Sequence, residues 1–574
     1  MSKLINSLDD LVMDKMIYSL GEKGHSQYKW DINSNAELEN NFENDITELF
    51  FQLVRYNAIN NDNNPAIQKY NNLVNSYVGD GLKRNKYVLY LLSLMFQTRD
   101  IIKGKGEYDL FIRMLRCWDT ELIYNTYGSI ILKALRYNFI KDENNNANGE
   151  PYGSWKDVKY YLNLVGKDNY KNSFISNFLI NLLVKQIIFD SKTVYGNISL
   201  AARWAPRESK HKFGWQSKVC ARQFAIFNSR KFTSLDMKAW RQTLSSLNKK
   251  LHTVQVNQCR GDWSYIKFPN DLTSITFMRQ RKAFLCEGKN KSASENEDRI
   301  TCKQHFEQYI QDCNSGKSKM VSKRTSLGDI VKACMKLDSS SYITEIDAIN
   351  LAWSQQIDEN HYLQDFIVMC DTSASMTWEN CPYYDAIGLA IRIAERSTLG
   401  KRIMTFSNNP SWINLDNKET LYDMIKEIQK ASVGYNTNFY KALQLICDAC
   451  VKNDMHPVEV SALSLIILSD MQIDTADKNW SSMDDGIREM FSDAGKKTSH
   501  GVPYEPPTLI YWNMRTTKGF PCSTTKNNTI MVSGYSIEVI SNLSTQGTKS
   551  LKEMTPWKNL EQILNQPRYN WFWD

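Results

Sequence analysis

An α-helical region followed by a doubly wound α/β domain is the architecture that this 574-residue sequence predicts. Three observations predict it. Apolar residues recur at helical spacing as far as about residue 340, with Gly and Pro gathered between the runs. From about residue 360, short apolar strands alternate with helical patterns, as in a parallel sheet with helices packed on it. The charge also changes between the two regions: residues 151–336 carry 33 Lys and Arg against 14 Asp and Glu, a net of +19, and residues 337–574 carry 20 against 29.

Composition sets the outer bounds. Apolar residues at 42% and aromatics at 12% suffice for large cores and exclude wholesale disorder. The opening MSKLINSLDD has neither a basic n-region nor an apolar h-region, so no secretory signal is read there. The longest apolar runs, Tyr87–Phe96 and Asn177–Phe189 (broken by Lys185), are too short to span a bilayer, and no membrane partner is expected. Twelve cysteines scattered through a long chain fit a reduced compartment and buried apolar roles, hence a cytoplasmic protein. Cys447 and Cys450 form a close pair, but no second pair completes a zinc site.

Residues 1–45 read as an N-terminal extension, and residues 46–345 as the helical region. Helical periodicity is clearest in Tyr87–Phe96, Tyr108–Trp118, Ser173–Phe189 and Met237–Leu251. Successive helices without strand signals suggest a HEAT-like repeat, an open solenoid or a ring. Asn57–Asn64 and Asn144–Gly153 read as surface loops, and the polar Cys286–Asp298 as a loop or long connection.

Residues 360–574 form the α/β part. Strands are expected at Asp365–Cys370, Lys401–Phe406, Leu463–Leu468, Thr508–Trp512 and Thr529–Ser533. Helices are expected at Tyr384–Ser397, Leu421–Ala431, Phe439–Val451, Met483–Ala494 and Lys558–Leu564. Ligands of such sheets bind at the loops after the strands' C-terminal ends. Those loops hold Asp371, Ser373 and Ser375 in a D-x-S-x-S turn, Thr437 before the helix at Phe439, and Asp470 directly after a buried strand. Two carboxylates and three hydroxyls form an all-oxygen set suited to a hard cation, Mg²⁺ or Mn²⁺. Asp474 is a rival for the last ligand, whereas His361 and His456 read as incidental. An open coordination position would favour an acidic partner. No general base stands beside a nucleophile in the motif, so binding rather than catalysis is expected.

This five-residue pattern is that of a metal-ion-dependent adhesion site, and the domain resembles a von Willebrand factor A domain, which has a Rossmann-like fold. A basic helical part before such a domain resembles the Ro autoantigen (TROVE-type) architecture. Closer still is the similarity to an uncharacterised TROVE-like family, a domain of unknown function found in fungi, plants and large DNA viruses. It is carried by Leu49-Phe50-Phe51, Arg99-Asp100 with Gly104-Lys105-Gly106-Glu107, Gly153-Ser154-Trp155-Lys156-Asp157 and Leu200–Glu208. Leu468–Met471, Tyr511-Trp512-Asn513 and Val532–Ser536 extend it through the C-terminal part. The resemblance implies a helical ring closed by the adhesion domain, binding structured or misfolded small RNAs. It implies a cytoplasmic setting, or a virion if the source is a large DNA virus.

The basic middle third asks independently for an acidic partner. The best local candidate is the segment 203–222, with Arg203, Arg207, Lys210, Lys212, Lys218 and Arg222 interleaved with Trp204 and Trp215. Cations meet phosphates there and rings stack on unpaired bases. Lys249-Lys250 and the group Arg279, Arg281 and Lys282 are secondary candidates, and Lys323-Arg324-Thr325-Ser326 resembles a basic-directed phosphorylation site. The rival reading is a protein–protein adaptor that uses the metal site to capture an acidic partner without RNA.

Overall fold

The chain's longest-range contacts tie residues near its beginning to residues near its end, and both the helices and the sheet depend on them. In the computed structural model the described residues are 18–20, 26–29, 39–54, 64–78, 85–140, 150–194, 197–286, 295–322, 325–338, 341, 343–355, 365–377, 382–406, 409–430, 438–472, 482–517, 519–535 and 552–569. Between 39 and 355 their regular structure is helical. The apolar periodicity at the four clearest runs corresponds to helices Asn85–Arg99, Tyr108–Cys117, Phe174–Lys192 and Ser234–Lys250. Side-chain caps start several helices: Ser173 Oγ accepts from Ser176 N at 2.9 Å, and Thr233 with Asp236 forms a capping box.

Sequence neighbours pack in succession, from Asn85–Arg99 through Tyr108–Cys117, Lys156–Val165 and Phe174–Lys192 to Gly214–Phe227 and Ser234–Lys250. The stretch Cys286–Asp298, read as a loop or long connection, runs at its end into helix Glu297–Asn314. Asn296 caps it and Glu297 and Asp298 face its N-terminal dipole, so polarity there marks a helix start. Phe174–Lys192 is also longer than its apolar run. By length and composition alone this one helix could cross a bilayer, yet Ile175, Leu179, Leu183 and Ile187 are buried against neighbouring helices.

Among the described residues, nine strands form two sheets. They are β1 (Tyr18–Leu20), β2 (Ser26–Lys29), β3 (Phe366–Asp371), β4 (Arg402–Phe406), β5 (Ser411–Asn414), β6 (Ser464–Ser469), β7 (Thr508–Asn513), β8 (Gly519–Phe520) and β9 (Thr529–Ser533). The six-stranded sheet runs β5-β4-β3-β6-β7-β9. Every pair in it is parallel except β4–β5, which corrects the expectation of a purely parallel sheet. The reason is connection length: four residues separate β4 from β5, and a parallel pair needs a crossover of about a dozen. β6, β7 and β9 are buried along their whole length, as strands covered on both faces must be. The winding runs outward from β3 to β5, then restarts at β6 and runs the other way, so the β3/β6 boundary is the topological switch point.

The helical region starts and ends on this sheet domain. At its start, helix Glu39–Gln52 packs on β9 and on helix Pro556–Leu564, and β2 pairs with β8. At its end, helix Leu327–Met335 packs on Pro382–Arg396, and Ile343–Ser354 on Leu421–Ile428. The helical region is therefore anchored on the sheet domain at both its start and its end.

Two charged groups secure the closure, and a third braces the helices beside them. Lys105 is fully buried, and its ammonium donates to Phe50 O (2.6 Å), Leu53 O (3.0 Å) and Ser533 Oγ (2.6 Å). The three protons thus cap the C-terminal carbonyls of helix Glu39–Gln52 and reach the end of β9. Asp100 takes a two-pronged contact from Arg568, at 2.5 and 2.8 Å, and the Tyr569 hydroxyl at 2.7 Å. Arg99 pairs with buried Asp157 at 2.6 Å. Glycine is required beside these groups, because a Cβ on Gly104 would lie 1.9 Å from Gln97 O and one on Gly153 2.5 Å from Asp157 Oδ2.

Removing one member of such a buried pair strands the other. Asp100→Ala is expected to cost about 3–5 kcal/mol of stability, read from the urea midpoint. Arg241→Ala, which breaks an exposed pair with Glu208, should cost under about 1 kcal/mol. Equal losses would refute the closure role.

Candidate functional site

The switch point brings the ends of β3 and β6 side by side, and with them Asp371, Ser373, Ser375 and Asp470. Asp371 is the last residue of β3 and is wholly buried. Its Oδ1 accepts from Ser373 N at 2.8 Å, which curls the chain into the turn, and its Oδ2 accepts from Ser469 Oγ at 2.8 Å. Ser373 and Ser375 place their hydroxyl oxygens 3.0 Å apart, so the alternation in D-x-S-x-S does turn both toward one point. Asp470, also buried, follows β6 and accepts from Gln472 N at 3.2 Å. Thr437 and Asp474 lie outside the described residues, as does His361. His456 caps helix Pro457–Ala462 through Nδ1 and takes no part in the rim.

Two carboxylates in one buried rim disfavour their own ionisation. Burial first, then the Asp470 carboxylate, push Asp371 up to about 7. A hard cation would relieve that opposition, and two carboxylates with convergent hydroxyls are the donor set it prefers. The residues present therefore fit Mg²⁺ or Mn²⁺, held by Asp371, Ser373, Ser375 and Asp470, with an oxyanion-binding position as the chemistry the metal would supply. Among the described residues no group of three or more His, Cys, Asp or Glu side chains gathers to hold a metal, so the case at this rim depends on hydroxyls as well as carboxylates.

Sequence reasoning missed two neighbours. Ser469 holds Asp371 and also accepts from Met471 N at 3.0 Å. Arg515, two residues past β7, places Nη2 3.1 Å from Asp470 Oδ2. A cation just beyond the Tyr511-Trp512-Asn513 strand end was the available signal.

The basic segment divides differently from its composition. Arg207, Lys210, Lys212, Lys218 and Arg222 are exposed, and among the described residues none of the five forms a salt bridge. Arg203 is half-buried, and burial lowers its pKa, so it is not a free surface cation. Lys218 and Arg222 stand one turn apart on helix Gly214–Phe227. Trp204 and Trp215 are half-buried: the first lies under Lys159 at 4.9 Å, the second packs on Tyr170 at 5.4 Å. Lys159 also approaches Phe213 at 5.2 Å, adding a cation from a preceding helix to this face.

The secondary candidates divide, with Arg279 and Lys282 exposed and Arg281 withdrawn. Arg281 is buried in a pair with Glu345 at 3.0 Å, with Lys282 at 3.7 Å from the same carboxylate, while Lys249 and Lys250 stay exposed. Lys323 and Arg324 lie outside the described residues. Thr325 is buried, whereas Ser326 is half-buried and its Oγ accepts from Asp329 N at 3.1 Å, capping helix Leu327–Met335. Cys447 and Cys450 are buried in one helix, and burial pushes the Cys447 thiol up to about 12.

Residues 365–564 match the model of a domain of unknown function (DUF7788). The uncharacterized protein L728 of Acanthamoeba polyphaga mimivirus is 25% identical over 467 residues, which span 78% of this chain and 75% of the relative. Together they support an uncharacterised family. A crystal structure of proximal thread matrix protein 1 from the mussel byssus aligns at a TM-score of 0.21 and 16% identity, over 36% of this chain and 49% of that one, so the chain spans about half of its length.

Asp371 yields a pH test. Its carboxyl holds a proton in the fold between the ordinary 3.8 and about 7, where the unfolded chain has lost it. Raising the pH through that window therefore removes stability. In EDTA the wild type should lose up to about 1.4 kcal/mol per pH unit there, and Asp371→Asn should be flatter. A slope retained by Asp371→Asn would place the proton elsewhere.

Proposed function

We propose that this chain is an RNA-binding scaffold of Ro-like architecture. In this reading the helical region is a HEAT-like ring, and the α/β part is a von Willebrand A domain with a Mg²⁺- or Mn²⁺-dependent adhesion site. The observation that carries the RNA reading is the run of five exposed cations, Arg207, Lys210, Lys212, Lys218 and Arg222, beside half-buried Trp204, Phe213 and Trp215. Lysines and arginines released from internal pairing take phosphates, and adjoining ring edges take unpaired bases, so small structured or misfolded RNA suits the face better than perfect duplex. The proposed activity is binding, without catalysis, in the cytoplasm or, for a viral source, the virion.

A protein–protein adaptor is the second reading. Asp371 and Asp470 favour it, since a metal held there would offer its open position to an acidic partner. The two readings separate in a salt titration, because phosphate contacts release counter-ions. A Lys210→Ala, Lys212→Ala, Lys218→Ala triple variant should bind single-stranded RNA more weakly whatever its sequence. Its log–log salt slope should flatten by about 0.7 per lost contact. Unchanged affinity at every salt concentration would remove this face as the RNA site, and no RNA bound by wild type would favour the adaptor.

A further inference from the structure

We infer that Arg515 is a tethered counter-ion that competes with a divalent metal for Asp470, so that the metal enters the rim only as the guanidinium leaves. The inference rests on the metal reading of Asp371 and Asp470, and it concerns a residue outside the adhesion pattern.

The guanidinium is placed there by built-in support. Arg515 N donates to Asn513 Oδ1 at 3.1 Å, turning the chain back over the end of β7. Met514 N donates to Ser469 O at 2.9 Å, which fastens this loop to the residue before Asp470. Downstream, the single Thr516 Oγ1 proton is shared between Gln52 O at 3.0 Å and Val54 O at 2.9 Å, and Thr517 N donates to Gln52 Oε1 at 2.8 Å. A loop pinned on both sides holds its cation over the carboxylate with little entropy left to lose.

Charge then decides the contest. With Arg515 in place, the Asp470 carboxylate already has a cation beside it. A divalent cation added to that arrangement would stand a few ångströms from the guanidinium, in a site where Asp470 is fully buried and Arg515 only 14% exposed. Charges a few ångströms apart in such a place repel far more than in water. With Arg515 displaced, that repulsion is removed and both carboxylates face the metal. Arg515 retains some exposure, which leaves it a route outward.

The test uses full-length wild type, Arg515→Gln and Arg515→Lys, with Mn²⁺ as probe. Free Mn²⁺ is read by electron paramagnetic resonance, and thermal unfolding is run in EDTA and in Mn²⁺. Arg515→Gln should bind Mn²⁺ at least about tenfold more tightly than wild type, ~1.4 kcal/mol, while Arg515→Lys stays within about threefold. In EDTA, Arg515→Gln should unfold at a lower temperature than wild type, and Mn²⁺ should restore it. Wild type that binds Mn²⁺ with an Arg515→Gln variant that binds no better overturns the inference and leaves the metal reading standing. If neither protein binds Mn²⁺, the metal reading falls and this inference with it. Should Arg515→Gln not fold, the Arg515 side-chain N–H resonance of wild type answers instead: it should shift on Mg²⁺ saturation, and an unmoved resonance in a Mg²⁺-bound protein overturns the inference.

Discussion

Lys105 is the contact on which the joining of the two regions depends. Its ammonium reaches three oxygens that belong to separate parts of the chain, two from the end of an early helix and one from the end of β9. Burial pushes such a lysine toward its neutral form, and three acceptors oppose that by using every proton. The Phe50 ring, 4.0 Å from the nitrogen, adds a further face for the charge. Gly104 and Gly106 on either side allow the tight backbone that delivers it.

The same rim of the sheet serves two purposes. At β7 and β9 its strand ends bind the early helix, through Asn513 to Phe51 O at 2.9 Å and Ser533 to Phe50 O at 2.6 Å. At β3 and β6 its strand ends carry the carboxylates. The Arg515 loop lies between, fastened to Gln52 on one side and touching Asp470 on the other. What occupies the carboxylates is therefore mechanically adjacent to what holds the helical region in place, without a separate connecting element.

Much of this was legible in the sequence, for identifiable reasons. β3, β6, β7 and β9 announce themselves because strands buried on both faces are continuously apolar. Asp371, Ser373 and Ser375 are legible because their convergence is local, two residues apart along one turn. β5 was not, since its SWIN pattern is short and leaves Trp412 half exposed. Arg515 escaped because its partner is remote along the chain and nothing local distinguishes it from a surface cation; Lys105 was visible within a motif, but its buried role depends on equally remote partners. Arg203 and Arg281 show the converse: a charge count includes them on the surface, whereas burial and Glu345 withdraw them. The quoted motifs around Arg99-Asp100 and Gly153–Asp157 turn out to be structural closures.

The Asp100 cluster also bears on how the chain reaches its fold. Its partners Arg568 and Tyr569 lie 468 and 469 residues further on. During synthesis the early helices must wait with an uncompensated carboxylate until residue 569 has left the ribosome. At about 5–20 residues per second that delay is on the order of half a minute to a minute and a half. Closure of so long a loop comes late and slowly, and until it happens the apolar faces of helix Asn85–Arg99 and helix Pro556–Leu564 have no cover from each other. A nascent chain of this kind is a natural client for chaperones, and truncation before Arg568 would expose the early helices rather than trim a dispensable tail.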